Sequence, residues 1–356
     1  MLAPDIARDL ESRLQTELGF KLDSVRLVEV DPGVVHNNRL FRLRATDGRE
    51  AMAKVYLRDD RQRLDREFKG LTLLRRRGFR SVPEPYLRND EHNYGVYSME
   101  PGENRPALRW TEADAVAAAE FSVELHRIRP VDVETPMPMA IFAASSYTET
   151  VRHIRTRLQH LMDYRARGDL AAEVRALYAE TDPVAEVERL IVLTTLSIGG
   201  DEMDRRTPER EWCLNVGDFS PHNMLIRPNG WPNAWPDGRL CVLDLEYCGW
   251  DDPVVMPALF VTADQCLGMA AEHKETFLRV YRDAAGLTPE HVNRMERRLT
   301  LLHVSWCAVH LQLLTPPFIV KKQFATPNMD VAAHLSAQIA KFKHRLQMAH
   351  EAIRLH

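Results

Sequence analysis

An α+β protein of two lobes, a small strand-rich one followed by a larger helical one, is what this sequence predicts, and three features predict it. Strand-like composition is concentrated before residue 100, around one strong helical stripe. Beyond residue 104 long helical periodicities dominate, interrupted once by a strand-rich passage over 212–244. Between these stretches Pro101-Gly102 breaks the pattern. The expected division is an N-lobe over 1–97, a hinge over 98–103 and a helical C-lobe over 104–356.

In chain order, Ile6, Leu10, Leu14 and Leu18 make an amphipathic first helix. Strands follow from about Val25 to Leu57, and Asp47-Gly48 between two of them predicts a hairpin with a tight type I′ turn. Leu64, Phe68, Leu71 and Leu74 then form the apolar stripe of one helix, with Gly78 as its stop. Tyr94 to Ser98 has strand composition. At the start of the helical lobe Thr111 and Asp114 have the spacing of a capping box. Helical patterns follow over 147–165, 169–196, 253–268, 270–285, 289–315 and 330–355. The one before Pro316-Pro317 must end ahead of those prolines. A cleft between the two lobes is expected.

Composition narrows the function. With 47 Lys and Arg against 51 Asp and Glu, the chain has no global basic field, which argues against a nucleic-acid partner. Five cysteines, an odd number without a C-x-x-C pair, fit neither a disulfide framework nor a zinc ribbon, and point to a reducing, cytoplasmic setting. Acids near the N-terminus do not suit a signal peptide. No Asp, Glu, Lys or Arg occurs over 299–320, yet His303, Ser305, His310, Gln312 and the two prolines interrupt it. A buried helix is therefore expected there, not a membrane span.

The chemistry is concentrated in NVGDFSPHNMLI and RLCVLDLEYCGWDDP. These supply Asp218, Asn223 five positions on, and Asp244 at the end of an apolar strand. Phosphoryl transfer needs an anion to accept or orient the proton of the attacking hydroxyl, and oxygen ligands to hold Mg²⁺ against the phosphates. A D-x-x-x-x-N loop beside a strand-end acid offers both. At these residues the chain resembles the aminoglycoside phosphotransferase and choline kinase family, small-molecule relatives of the protein kinases, with catalytic loop H-G-D-x-x-x-x-N and metal motif D-x-E or D-x-D.

The resemblance implies a protein-kinase-like fold and ATP- and Mg²⁺-dependent phosphorylation of a small-molecule hydroxyl. It assigns Asp218 as catalytic base, Asn223 and Asp244 as metal ligands, and Glu246 as the second acid of the D-x-E pattern. Val216 stands where the family has the His that is thought to brace the loop. Kinase-type sites also place a Lys on the third strand, paired with a Glu on the next helix. Lys54 in AMAKVYL, facing away from Ala53 and Val55, and Glu67 beside the helical stripe have that order. Lys54 is expected to serve phosphate positioning more than folding. Gly33 and Asn38 belong to the segment that would approach the nucleotide phosphates, and Ser98, Met99 and Glu100 occupy the position of a hinge that binds adenine through its backbone.

Other features have plainer readings. Arg75-Arg76-Arg77 ends a helix, where cations complement its dipole. His303 and His310 are core or cleft histidines rather than metal ligands. Trp231, Trp235 and Trp250 either cap loops or wall a ligand. The acceptor is expected between 147–206 and the C-terminal helices. Asp201, Glu202 and Asp204 are mixed there with Arg205, Arg206 and Arg210, a poor match for a polycationic aminoglycoside. Two rivals remain. A nucleotide-binding regulator without turnover draws on Val216 and the single Gly33; a protein kinase lacks its A-P-E signature here.

Overall fold

The computed structural model describes residues 2–28, 38–134, 136–227 and 238–354. Helix α1 (Pro4–Leu18) starts on proline and ends at Gly19, whose φ of +56° suits a residue without Cβ. It buries Leu10 and Leu14 against an antiparallel sheet of order β1-β2-β3-β5-β4. The strands are β1 (Leu22–Leu27), β2 (Arg39–Ala45), β3 (Glu50–Val55), β4 (Pro85–Asn89) and β5 (Tyr94–Ser98). Alternation does the sorting: Ala51, Ala53 and Val55 enter this core with Phe41, Leu43 and Val96. Lys54 therefore leaves the opposite face, toward α2 (Arg63–Arg76).

The hairpin between β2 and β3 forms, but not through a type I′ turn. Gly48 takes φ +89° while Asp47 is not among the positive-φ residues. Ala45 accepts from Gly48 N at 3.0 Å and donates to Arg49 O at 2.9 Å. This is a three-residue loop with its left-handed glycine last, the alternative that leaves Asp47 unstrained. Downstream of β5 the chain crosses at Gly102 (φ +139°) into β6 (Glu103–Asn104), which pairs with β8 (Met224–Ile226) of the helical part. Buried Arg227 fixes this crossing by donating to Glu100 Oε2 at 2.6 Å.

The capping box at Thr111 opens α3 (Glu112–His126) as its spacing predicts. Next come α4 (Tyr147–Arg167), α5 (Ala172–Glu180), α6 (Pro183–Ile198) and the short α7 (Gly200–Met203). The single helical stretch expected over 169–196 is two helices, because Asp182 caps a new start and Pro183 is its first residue. Two small sheets follow, β10-β7 and β6-β8-β9, from β7 (Cys213–Asn215), β9 (Leu240–Val242) and β10 (Gly249–Asp251). The remainder is α8 (Val255–Thr262), α9 (Ala271–Ala285), α10 (Pro289–Gln312), α11 (Pro316–Ala325) and α12 (Val331–Arg354).

Phe121, Phe219, Phe260 and Phe277 form the aromatic centre beneath the loop after β7, with Phe260 and Phe277 rings 4.1 Å apart. A second core joins α4, α5, α6, α10 and α12 through Ile154, Val174, Leu190, Leu311 and Phe342. The helix before Pro316-Pro317 ends at Gln312, as expected, but the prolines then serve as the first turn of α11. That helix reaches the N-lobe: Arg39 Nε donates to Phe324 O at 2.8 Å and its guanidinium lies over the Phe324 ring. All five cysteines are free and buried. Among the described residues no helix is long and apolar enough to cross a membrane.

Candidate active site

The loop after β7 is shaped by its backbone. Gly217 has φ +86°, and a Cβ built there would lie 2.3 Å from the Tyr247 Cβ. Gly217→Ala combines left-handed strain with a collision against backbone, and an unfolding free energy lower by about 2 kcal/mol or more is expected. Urea titration checks this; a change below about 0.5 kcal/mol, the range of neutral surface substitutions, would mean the turn is not required. Val216 is buried in the core. The bracing expected of a histidine comes from its neighbour instead: Asn215 Oδ1 accepts from Gly217 N at 2.8 Å, and Asn215 Nδ2 donates to Asp251 at 2.9 Å.

Asp218 follows with its side chain 39% exposed. Ser220 Oγ donates to it at 2.9 Å, and His222 Nε2 stands 3.4 Å away. Burial alone would raise this carboxyl, but His222 and Ser220 outweigh it and hold the group below the usual carboxylate range. It is thus ionised at neutral pH. Asn223 ends the 3₁₀ turn Pro221–Asn223, donates from Nδ2 to Asp218 O at 3.0 Å and accepts from Leu243 N at 2.8 Å. Asn223 therefore ties the Asp218 loop to the end of β9, next to Asp244.

At Asp244 the backbone takes φ +60°, one of three such non-glycine residues among those described. This conformation costs energy and concentrates at functional positions. Lys54 Nζ lies 2.5 Å from Asp244, 2.6 Å from Glu67 and 3.7 Å from Glu246. Tyr56 donates to Glu67 at 2.6 Å. Three carboxylates share one ammonium, which stays charged in their field; burial and the neighbouring Asp244 push the Glu67 carboxyl up to about 7. Oxygens of Glu67, Asp244 and Glu246 lie within 4.8 Å of one another. Clustered carboxylate oxygens are the donors that suit a hard divalent cation.

Asn38 is buried and donates to Glu246, so its side chain orients that acid and does not point into free space. Glu246 is also bonded by Arg63, which lies 3.1 Å from Asp59. Met99, just beyond β5, is 36% exposed. Gly33, Trp231 and Trp235 lie outside the described residues. Trp250 is buried in β10 and is core, while His310 is buried, bonds Gln338 at 2.8 Å and lines the cavity beside Asp218.

A cavity of about 440 Å³ opens beside Gly217, Asp218 and His222. It is walled by α4, α8, α10, α11 and α12, where the acceptor was expected on the α4 side. The charged cluster over 201–210 is not part of it; Glu202, Arg205 and Arg206 line a separate depression with Glu290 and Arg294. The reading from sequence missed Lys322, Arg61 and Arg157, all of which line the main cavity. Lys322 was hidden because Pro316-Pro317 reads as an end, not a beginning. No local signal marks the two arginines, which only tertiary packing brings together.

A small strand lobe followed by a larger helical lobe, with a Lys–Glu–Asp cluster near a D-x-x-x-x-N loop, is a protein-kinase-like architecture. The chain belongs to the phosphotransferase enzyme family, whose profile matches residues 33–287. Among solved structures, a gentamicin complex of the aminoglycoside phosphotransferase APH(2'')-IIa is 15% identical, with TM-score 0.59 over 94% of this chain and 99% of that one. The choline kinase LicA from Streptococcus pneumoniae is 15% identical, with TM-score 0.57 over 99% and 100%. The macrolide 2'-phosphotransferase MphH from Brachybacterium faecium is 17% identical, with TM-score 0.53 over 92% and 99%. No curated protein matches the chain in sequence.

Proposed function

We propose that the protein transfers the γ-phosphoryl group of ATP, in the presence of Mg²⁺, to a hydroxyl of a small organic acceptor. The observation that carries this reading is the convergence of Lys54, Glu67 and Asp244 on one point, from β3, α2 and the end of β9. The ADP of one similar structure, the spectinomycin phosphotransferase APH(9)-Ia, adds support. In the reaction, Asp218 accepts the hydroxyl proton, the hydroxyl oxygen bonds to phosphorus, and the bond to ADP breaks. Lys54 offers its ammonium to the phosphates, with Glu67 holding it in place. Asp244 and Asn223 are the residues that would hold Mg²⁺, which supplies charge neutralisation on the phosphates. The glutamates Glu67 and Glu246, each bonded to cationic partners, set the field around Asp244.

ADP release from MgATP over a panel of sugars, amino alcohols, hydroxy acids and nucleosides tests the proposal. Acceptor-dependent release supports it; nucleotide binding with no release for any acceptor favours a regulator without turnover. A cytoplasmic location, where ATP is supplied and thiols stay reduced, fits the five buried free cysteines.

Lys322 adds a pH signature. Burial first, then Arg63 and Arg61, push its ammonium down to about 8, against the opposing pull of Glu246 and Asp218. The folded value lies below the unfolded one, so its cost to stability is full below pH 8 and is relieved as pH rises from about 8 toward the ordinary lysine value. Activity moves the other way if the charge at the Asp218 cavity assists turnover. The expected result is kcat/KM falling above pH 8, with that alkaline limb absent in Lys322→Met. A limb unchanged in Lys322→Met would assign it to another group.

A further inference from the structure

The cavity beside Asp218 carries the wrong charge for a cationic acceptor. Arg61, Arg157, Arg298, Lys322 and Lys341 line it, against the two carboxylates of Asp218 and Asp264. Several of these charges are already matched. Asp264 is held by Arg345 at 2.5 Å and by His310 at 3.2 Å, with Lys341 at 3.5 Å. Arg298 donates to Thr150 and to Ala144 O and faces Asp252 at 3.6 Å.

Arg157 is different. It projects from the middle of α4, is 9% exposed, and among the described residues has no carboxylate partner. Its guanidinium lies 5.0 Å from the Phe142 ring centroid. On the same ring, at 5.4 Å, lies Arg61, whose nearest carboxylate, Asp59, is 4.0 Å away and shared with Arg63. Burial, and secondarily Arg61, push the Arg157 guanidinium down to about 10, which leaves it charged at neutral pH. An unpaired buried cation beside a second cation destabilises the protein unless an anion enters between them. Phe142, Tyr247, Leu302, Trp306 and Phe318 make the remaining wall largely apolar. The Trp306 Nε1–H is buried there without a partner.

We propose that the acceptor is an anionic hydroxyl compound whose carboxylate or phosphate group is held by Arg157 and Arg61, with an apolar body along the Phe142 and Trp306 wall and its hydroxyl toward Asp218. This rests on the phosphotransferase reading given above and adds only the acceptor's charge. The bond made and broken are the same, and the anion keeps its own oxygens.

Binding is read without nucleotide, so that it does not depend on turnover. Thermal unfolding of the full chain is followed with 4-(2-hydroxyethyl)benzoate, with the neutral 4-(2-hydroxyethyl)benzamide, with 2-hydroxyethyl phosphate and with kanamycin at matched ionic strength, in wild type and Arg157→Met. Ligand-free Arg157→Met should unfold at a temperature equal to or above wild type, because the substitution removes an unmatched charge and keeps most of the stem. Wild type should be stabilised by the anions, with an apparent affinity for benzoate at least tenfold above that for the benzamide. Arg157→Met should lose this preference, and Arg157→Lys should retain part of it. A larger shift with benzoate than with the phosphate ester assigns a carboxylate, and the reverse assigns a phosphate. Wild type and Arg157→Met responding alike to benzoate and to the phosphate ester, or kanamycin stabilising wild type more than either anion, overturns the proposal. Failure of the phosphotransferase reading would show separately, as anion binding with no ADP formed from MgATP under any acceptor.

Discussion

Asp218→Ala is expected to lower kcat by about 10²- to 10⁴-fold, the contribution of a positioned general base, while ATP still binds. The separation follows from placement. Asp218 lines the cavity with His222 and is bonded by Ser220, on a loop whose shape depends on Gly217 and Asn215 rather than on its own carboxylate. Its half-exposed side chain carries little of the packing. The measured quantities are kcat under saturating acceptor and the affinity for ATP by calorimetry. Turnover within threefold of wild type would remove Asp218 from the mechanism, and loss of ATP affinity would move it to the nucleotide side.

The second large effect belongs to Lys54→Met. The sequence suggests that this lysine matters for phosphates more than for folding, and the structure revises that. Its side chain is 7% exposed and is shared among Glu67, Asp244 and Glu246, of which Glu67 and Glu246 are 5% and 2% exposed. Removing one partner from a buried ion pair typically costs about 3–5 kcal/mol. Arg63 on Glu246 and the readiness of Glu67 to take up a proton place the expected loss at the lower end, about 3 kcal/mol. At a temperature where the variant is folded, kcat/KM for ATP should also fall at least about tenfold, the effect of one lost charge-assisted contact. Urea titration with steady-state kinetics reads both. Unchanged stability would show that the carboxylates do not need the ammonium, and unchanged ATP kinetics would end its role in phosphate binding.

Much of the scaffold is legible in the sequence because it is written in local patterns. The stripe Leu64, Phe68, Leu71 and Leu74, the Thr111–Asp114 box and the break at Pro101-Gly102 each act over a few residues, and each appears where its pattern puts it. The Lys54–Glu67 pair is legible for a related reason. Strand alternation fixes the face of Lys54 and helical spacing fixes that of Glu67, so only their meeting at 2.6 Å had to come from the fold. Local signals mislead where one residue type serves two purposes. Asp47-Gly48 suits two hairpin turns, and the φ values select the one that spares Asp47. Pro316-Pro317 forbids the end of one helix and suits the start of the next.

The cavity is the part that local patterns do not carry. Arg61 precedes α2, Arg157 lies in α4, Asp218 follows β7 and Lys322 lies in α11, and each alone resembles an ordinary surface residue. Charges at 201–210 draw attention in the sequence because they cluster there, yet most of those that meet in space do so in another depression. Glu246 shows the same limit in smaller form. The resemblance makes it the second acid of the D-x-E pattern, but that pattern does not show Arg63 and Asn38, both of which engage it in the fold.

Calorimetric titration of ATP into the wild-type protein, with and without Mg²⁺, and into Asp244→Ala tests the central claim most directly, because it needs no knowledge of the acceptor. Asp244 and its neighbouring carboxylates crowd oxygen donors where the phosphates would lie, so ATP without a divalent cation should bind weakly. The expected result is that Mg²⁺ raises ATP affinity at least about tenfold in wild type and has little effect in Asp244→Ala, the loss of one full carboxylate ligand. Equal ATP affinity with and without Mg²⁺ in wild type, or an Asp244→Ala variant with the wild-type Mg²⁺ dependence, would contradict the assignment of this site.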